Sequence, residues 1–167
     1  MQPLVSIIMG STSDYDVMSK AAQILDEFEI PFEINALSAH RTPEKVEEFA
    51  HSAKGRGIKV IIAGAGMAAH LPGVVAALTP VPVIGVPIKA SLDGMDALLA
   101  IVQMPPGIPV ATVAINGAMN AGLLAVQMIA TGDEALYSHF VAYKEGLKKK
   151  IIDANKELSE VKFKFRV

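Results

Sequence analysis

Two long stretches without a charged residue constrain this chain more than any other feature of its sequence. They cover residues 60–88 and 97–132. Each exceeds the roughly 20 apolar residues that cross a bilayer, but prolines interrupt both, and Asn and Gln residues lie among the apolar ones. Because proline breaks helices and ends strands, the pattern predicts short buried strands and helices and no membrane span.

Short apolar runs alternate with stretches of helical periodicity, which is the pattern of a parallel sheet with helices between its strands. Buried strands are predicted at 5–9, 32–37, 59–63, 83–86 and 110–115. We therefore expect an α/β fold of three layers, a flavodoxin-like, doubly wound parallel sheet of about five strands. A long C-terminal helix is predicted from Asp133 onward, and the chain is expected to form a single domain, 1–167.

Polar or glycine-rich turns follow the first three predicted strands. The first turn carries Ser11 and Asp14, the second carries His40 and Arg41, and the third covers residues 64–73. Because the carboxyl ends of parallel strands lie at one edge of a sheet, these turns are expected to form one site. Hydroxyls and helix N-termini suit phosphate, Arg holds phosphate bidentately, and His transfers protons near neutral pH.

Each turn also has a simpler explanation. The first turn consists of helix-capping residue types, His40 and Arg41 could be a solvated surface pair, and His70 could be a polar group at a helix start. Residues 64–69 match the G-x-G-x-x-A dinucleotide fingerprint, but they follow the third strand, and the next acidic residue, Asp93, lies beyond the fourth. A metal site of His40 and His70 lacks a carboxylate at ligand spacing.

Composition excludes several functions. The chain has no Cys, which excludes disulfides, thiolate nucleophiles and thiolate metal sites, and its net charge of -2 does not indicate a nucleic-acid surface. The N-terminal residues lack the basic start and the cleavage site of a signal peptide, so a cytoplasmic location is expected. A monomer of this size could not bury both uncharged stretches, which predicts a homo-oligomer.

The part of the chain from residue 5 to residue 130 contains the segments MGSTSD, SAHRTP, VIIAGAGMAAHLPG, PVIGVP, IVQMPPGIPVATVAI and NAGLLA. Together these segments resemble the N5-carboxyaminoimidazole ribonucleotide mutase family of purine biosynthesis. The resemblance implies a flavodoxin-like fold, a homo-octamer, and a small ribonucleotide substrate with no metal or organic cofactor. It also implies transfer of a carboxylate from the exocyclic nitrogen of the substrate to C4 of its imidazole, which forms 4-carboxy-5-aminoimidazole ribonucleotide.

The same resemblance assigns roles to individual residues. His40 matches the general acid and base of the family, and the implied mechanism is decarboxylation in a closed pocket followed by attack of C4 on the CO2. The substrate-binding residues that it implies are Ser11, Asp14, Ser38, Arg41, Gly66 and His70. Two positions depart from the family pattern, since Met67 stands where the family usually has Gly, and residues 88–92 form a slightly shorter segment than expected.

Two other functions stay open. A related branch of the family carboxylates aminoimidazole ribonucleotide directly with CO2, and its third-strand loop resembles this chain less. A non-catalytic, nucleotide-binding module of flavodoxin-like fold would also keep the anion-binding turns. Such a module gives no reason for His40 to stand beside Arg41, and substrate turnover without ATP would distinguish it from an enzyme.

Overall fold

The structure is a computed structural model that describes residues 1–68 and 70–167. Ala69, within the glycine-rich segment, lies outside the described residues. The strands are β1 (Val5–Met9), β2 (Phe32–Ala36), β3 (Val60–Gly66), β4 (Val83–Ile88) and β5 (Ala111–Thr112). The helices are α1 (Tyr15–Glu27), α2 (Pro43–Ala53), α3 (Leu71–Leu78), α4 (Met95–Val102), α5 (Ala118–Ala130) and α6 (Glu134–Ser159).

The strands form one parallel sheet in the order β2-β1-β3-β4-β5. From β1 the chain first moves outward to β2, and it then returns to the other side of β1 to form β3. Helices consequently cover both faces of the sheet, which confirms the doubly wound α/β fold. The change of direction between β1 and β3 opens a crevice at the carboxyl ends of these two strands.

The core is built on the central strands, which are apolar along nearly their whole length because helices cover both of their faces; the buried polar residue Ser6 in β1 donates a hydrogen bond to Glu33. Every residue of β1 and of β4 is buried. Helix α1 contributes one apolar stripe at helical spacing, formed by Met18, Ala21, Ile24 and Leu25. The rigid centre of the sheet therefore carries the turns that follow β1, β3 and β4.

Of the strands described, only β1 has the predicted length: β2 ends one residue earlier than predicted, β4 ends two residues later, and β3 and β5 also differ. β3 continues through Gly64 and Gly66, which pair with Val86 and Ile88 of β4, so these glycines lie in the strand and not in the turn after it. Gly64 has a packing reason, because a Cβ there would lie 2.5 Å from the sulfur of Met18. A strand over 110–115 is too long a prediction, since only the two residues of β5 pair with β4.

The chain divides into two compact units, residues 1–129 and residues 130–167. The second unit confirms the long C-terminal helix, whose N-terminus is capped by Asp133, which accepts a hydrogen bond from the backbone N–H of Leu136 at 3.0 Å. Single-domain organisation over 1–167 stays a prediction. Among the residues described, none of the helices has the length and apolar character needed to cross a membrane.

Candidate active site

A cavity of about 460 Å³ lies at the carboxyl edge of the sheet, at the crevice between β1 and β3. It is lined by most of the residues that the sequence predicts for the site, namely Ser11, Asp14, Ser38, His40, Arg41 and Gly66. These residues come from the turns after β1 and β2 and from the last residue of β3, which are far apart in the sequence. The parallel sheet brings the turns together because each of them begins where a neighbouring strand ends.

The first turn, after β1, presents hydroxyl groups and one carboxylate. Ser11 Oγ accepts a hydrogen bond from the backbone N–H of Ser13 at 3.3 Å, and its carbonyl accepts one from the N–H of Asp14 at 3.1 Å. Burial raises the pKa of the Asp14 carboxyl, although the hydroxyl of Ser13, the backbone of Ser11 and the charge of Arg41 all act to lower it. Asp14 is thus a hydrogen-bonding carboxyl held partly out of water beside a cationic side chain.

The second turn, after β2, is tied to the first by Arg41. Its Nη2 donates a 2.7 Å hydrogen bond to the carbonyl oxygen of Gly10, and its Nε donates to Ser38 Oγ at 3.3 Å. A guanidinium group has five N–H donors, so two are used within the protein and three remain for a ligand. The planar group is therefore held by two anchors, while its free edge can receive an anion such as phosphate.

His40 lies beside Arg41 on the same turn and also lines the cavity. Its side chain is exposed, and within the described residues it makes no hydrogen bond or ion pair. Both ring nitrogens are consequently available to a ligand. An imidazole in this position can donate a proton to one atom of a bound molecule and accept a proton from another.

The end of β3 and the third turn, which follows it, contribute backbone atoms and apolar side chains to the wall of the cavity. A Cβ at Gly66 would lie 3.3 Å from the carbonyl oxygen of Ile88, so this residue keeps β3 close to the end of β4. Met67 has a positive φ of 57° and is 61% exposed, and its side chain lines the cavity together with Leu71 at the start of α3. Left-handed backbone is unfavourable for a residue with a side chain, and here it sets Met67 at the cavity wall.

His70 is the predicted site residue that does not line the cavity. Its ring lies over Gly73 in α3, so closely that a Cβ at position 73 would collide with Nε2, and its buried Nδ1 has no hydrogen-bond partner among the residues that the structure describes. His70 is the N-cap residue of α3, but its side chain makes no capping hydrogen bond. A substrate-binding role for His70 therefore stays a prediction.

The turn after β4 completes the cavity through Ala90, a contribution for which the sequence offers no chemical signal. This turn contains residues 88–92, the shorter segment noted above. Its last residues, Leu92, Asp93 and Gly94, all have positive φ angles. The backbone N–H of Lys89 also donates to Asn116 Oδ1 at 2.9 Å. These contacts hold Ala90 against the site.

Ser13 also lines the cavity, and its place within a cluster of hydroxyl residues is the sequence signal for it. The carbonyl of Gly10 is a different case, because nothing in the sequence indicates that it accepts a hydrogen bond from Arg41. Among the residues described, no three His, Asp or Glu side chains are grouped so that they could hold a metal ion.

Comparisons with known proteins agree on one family. The sequence matches the family described as AIR carboxylase over residues 4–150. The N5-carboxyaminoimidazole ribonucleotide mutase of Pyrococcus horikoshii is 55% identical over 161 residues, which are 96% of this chain and 91% of that protein. The Bacillus subtilis protein of the same name is also 55% identical, over 95% of this chain and 99% of that protein.

Other similar proteins differ in length or are more distant. The phosphoribosylaminoimidazole carboxylase of Schizosaccharomyces pombe is 53% identical over 163 residues, but this chain spans only 30% of its length. Among solved structures, Treponema denticola PurE superposes with a TM-score of 0.85 at 32% identity, and the match covers 93% of this chain and 98% of that one. The tertiary structure and the sequence thus point to the same family.

Proposed function

The chain belongs to the AIR carboxylase family, and we propose that it is a mutase of purine biosynthesis, an isomerase. In this proposal it converts N5-carboxyaminoimidazole ribonucleotide into 4-carboxy-5-aminoimidazole ribonucleotide. Relatives that carry the mutase name match nearly the whole of this chain, and this chain covers nearly the whole of them. That agreement supports the mutase assignment.

The observation that carries the proposal is the position of His40. Its unpaired imidazole lines the same cavity as Arg41, whose free edge can hold a phosphate group. A binding module needs the arginine but has no use for an exposed proton carrier at this place. The two side chains together suit an enzyme that anchors a phosphorylated substrate and moves protons on its other end.

In the proposed complex the ribose phosphate lies between the first two turns. Arg41 and the hydroxyl of Ser11 contact the phosphate, and the carboxyl of Asp14 accepts a hydrogen bond from a ribose hydroxyl. Ser38 lines this part of the site. Gly66 allows the backbone of the third turn to approach the imidazole, and His70 contacts the carboxylate in this proposal.

The proposed reaction needs no net proton uptake. The bond between the exocyclic nitrogen and the carboxylate carbon breaks, CO2 leaves, and His40 donates a proton to that nitrogen. C4 of the electron-rich imidazole then attacks the CO2 and forms a new carbon–carbon bond. His40 takes the proton from C4, which restores the aromatic ring and returns the imidazole of His40 to its starting state.

Retention of CO2 between these two steps is the physical demand on the site. The cavity wall beside the glycine-rich turn is apolar, formed by Ala65, Met67 and Leu71. Such a wall excludes water, so CO2 is not hydrated and C4 is the nucleophile beside it. Holding CO2 against C4 also removes the entropy of capturing it from solution.

The test uses substrate that carries a labelled carbon in its carbamate, incubated with enzyme and an excess of unlabelled bicarbonate. A mutase gives product that retains most of the label. A parallel reaction without enzyme measures how much carbamate is lost spontaneously. Product that contains mainly unlabelled carbon contradicts the mutase assignment, because free CO2 would then be the substrate.

The second candidate is the direct, CO2-dependent carboxylase of aminoimidazole ribonucleotide. The names of the Schizosaccharomyces pombe and Candida glabrata relatives favour it, since both are called phosphoribosylaminoimidazole carboxylase and are 53% and 65% identical to this chain over their matched parts. This chain spans only 30% and 23% of those proteins. Their names therefore describe proteins much longer than this one, and the labelling experiment decides between the two reactions.

The proposal includes a homo-octamer in the cytoplasm that works without a metal or organic cofactor. Support for assembly comes from apolar side chains of α4 and α5 that are about half exposed in the single chain, namely Met95, Leu99, Val102 and Met119. Large exposed apolar side chains that cluster on a fold usually mark a protein interface.

A further inference from the structure

The turn that carries His40 and Arg41 is organised around Ser38. The carbonyl of Ser38 accepts hydrogen bonds from the backbone N–H of Thr42 at 2.9 Å and from its hydroxyl at 3.1 Å. The backbone N–H of Ser38 donates a hydrogen bond to the hydroxyl oxygen of Thr42, Oγ1, at 3.1 Å. Ser38 Oγ in turn accepts from the backbone N–H of Arg41 at 3.2 Å and from its Nε at 3.3 Å.

The hydroxyl of Thr42 both donates and accepts a hydrogen bond within this turn. Its O–H donates to the carbonyl of Ser38, and its oxygen accepts from the backbone N–H of Ser38. The N–H and the carbonyl of Ser38 are therefore both hydrogen-bonded to the Thr42 side chain. Thr42 occupies the N-cap position of α2, where a hydroxyl ordinarily accepts a hydrogen bond from the first turn of the helix. Here it makes no such bond. In the first turn the N–H of Lys45 donates to the carbonyl of Thr42 at 3.1 Å, and Pro43 has no N–H to satisfy.

A continuous chain of hydrogen bonds therefore connects Thr42 to the ligand-facing guanidinium. Thr42 fixes the backbone of Ser38, Ser38 Oγ holds the Nε of Arg41, and Nη2 of Arg41 is held by the carbonyl of Gly10. Thr42 does not line the cavity of about 460 Å³, but it lines a smaller recess of about 320 Å³ together with Gly10, Ser11, Ser38 and Arg41. For a ligand in the larger cavity, the effect of the Thr42 hydroxyl passes through Ser38 and Arg41.

We propose that Thr42 is a positioning residue that sets the orientation of Arg41 toward the substrate phosphate. This inference rests on the proposed function, because it takes Arg41 as the phosphate ligand. Without the hydroxyl, the Ser38 N–H loses its acceptor and the Ser38 carbonyl keeps only the bond from the Thr42 backbone. Ser38 Oγ then no longer holds Arg41 in one orientation, and ground-state binding of the phosphate weakens.

The experiment compares Thr42→Val, which keeps the shape and removes the hydroxyl, with Thr42→Ser, which keeps the hydroxyl. KM and kcat for N5-carboxyaminoimidazole ribonucleotide are measured, with the affinity for ribose 5-phosphate and the melting temperature. Thr42→Val is expected to raise KM by about tenfold, the effect of losing roughly one net hydrogen bond, with a smaller change in kcat. Thr42→Ser is expected to stay within about twofold of the parent in KM. The matched control is Thr112→Val on β5, outside the cavity lining, which should leave KM unchanged.

A merely structural role predicts a different result. Thr42→Val would then lower the melting temperature or the active fraction without raising KM, and that outcome overturns the proposal. An equal rise of KM in Thr42→Ser overturns it as well, since the hydroxyl would not be the cause. Should the parent protein not turn over the ribonucleotide, the proposed function fails by itself. The affinity for ribose 5-phosphate then still tests the positioning role, and equal affinities in the parent and Thr42→Val refute it.

Discussion

Replacing Arg41 by alanine should weaken substrate binding far more than it weakens the fold. In the structure Nε and one N–H of Nη2 are used by Ser38 and Gly10, which leaves three N–H groups for the phosphate. A hydrogen bond to a charged group contributes about 1.5–3 kcal/mol. Because each 1.4 kcal/mol corresponds to a factor of ten, losing one such contact raises KM by about 10- to 150-fold.

Arg41→Lys separates charge from geometry. Lysine keeps the positive charge, but its single nitrogen cannot hold Ser38, Gly10 and a phosphate oxygen at the same time. We expect its KM to rise by about tenfold, between the parent and Arg41→Ala. The fold should change little, since Arg41 is exposed and water can take the place of its two internal hydrogen bonds in the variant.

The assay is steady-state turnover of N5-carboxyaminoimidazole ribonucleotide at several salt concentrations, with thermal melting of each variant. Raising the salt concentration should increase KM of the parent more than KM of Arg41→Ala, because salt screens the attraction that the variant lacks. Lys45→Ala is the control, since it removes a cation four residues away whose exposed ion pair with Glu48 does not touch the cavity. A KM for Arg41→Ala within about threefold of the parent refutes the assignment of Arg41 to the phosphate.

Three further outcomes are expected. His40→Asn should abolish turnover and leave the affinity for substrate nearly intact, because a proton carrier acts mainly in the transition state; activity equal to the parent in a turnover assay would contradict its role. The native pKa of Asp14 is raised above its ordinary 3.8, so the parent loses stability as pH rises from there through the native pKa. Asp14→Asn has no carboxyl to ionise, so it does not lose this stability. The melting temperature of Asp14→Asn should therefore increasingly exceed that of the parent as pH rises across that window. A constant or shrinking difference would be evidence against ionisation of a buried carboxyl. Sedimentation at micromolar concentration should show an oligomer larger than a dimer, and a species near 17.6 kDa would contradict the predicted assembly.

Local sequence information was enough to predict most of the fold. Strand β1 lies at the predicted residues 5–9, and the long C-terminal helix begins at the predicted position, directly after Asp133, because apolar spacing is a property of a few neighbouring residues. The extent of a strand is different, since it depends on a partner elsewhere in the chain. For that reason β5 is shorter than predicted and β3 is longer.

The composition of the candidate site was also predictable in large part. Turns that follow parallel strands must lie at the same edge of the sheet, so Ser11, Asp14, Ser38, His40, Arg41 and Gly66 could be expected to meet, and they line one cavity. Ala90 could not be expected there, because an alanine in a turn carries no chemical signal. The direction of the His70 ring could not be expected either, since it depends on the space left above Gly73.

The sequence by itself determined which elements form and which side chains reach the carboxyl edge of the sheet, because periodicity, capping and strand direction are encoded locally. Only the tertiary structure decided how those side chains are used. Arg41 is held by a carbonyl 31 residues away in the sequence, and the hydroxyl of Thr42 holds Ser38 and does not cap α2. A hydrogen bond requires its donor and acceptor within about 3 Å in the right direction. For Arg41 and Gly10 that geometry exists only after the order β2-β1-β3 has placed two separate turns side by side.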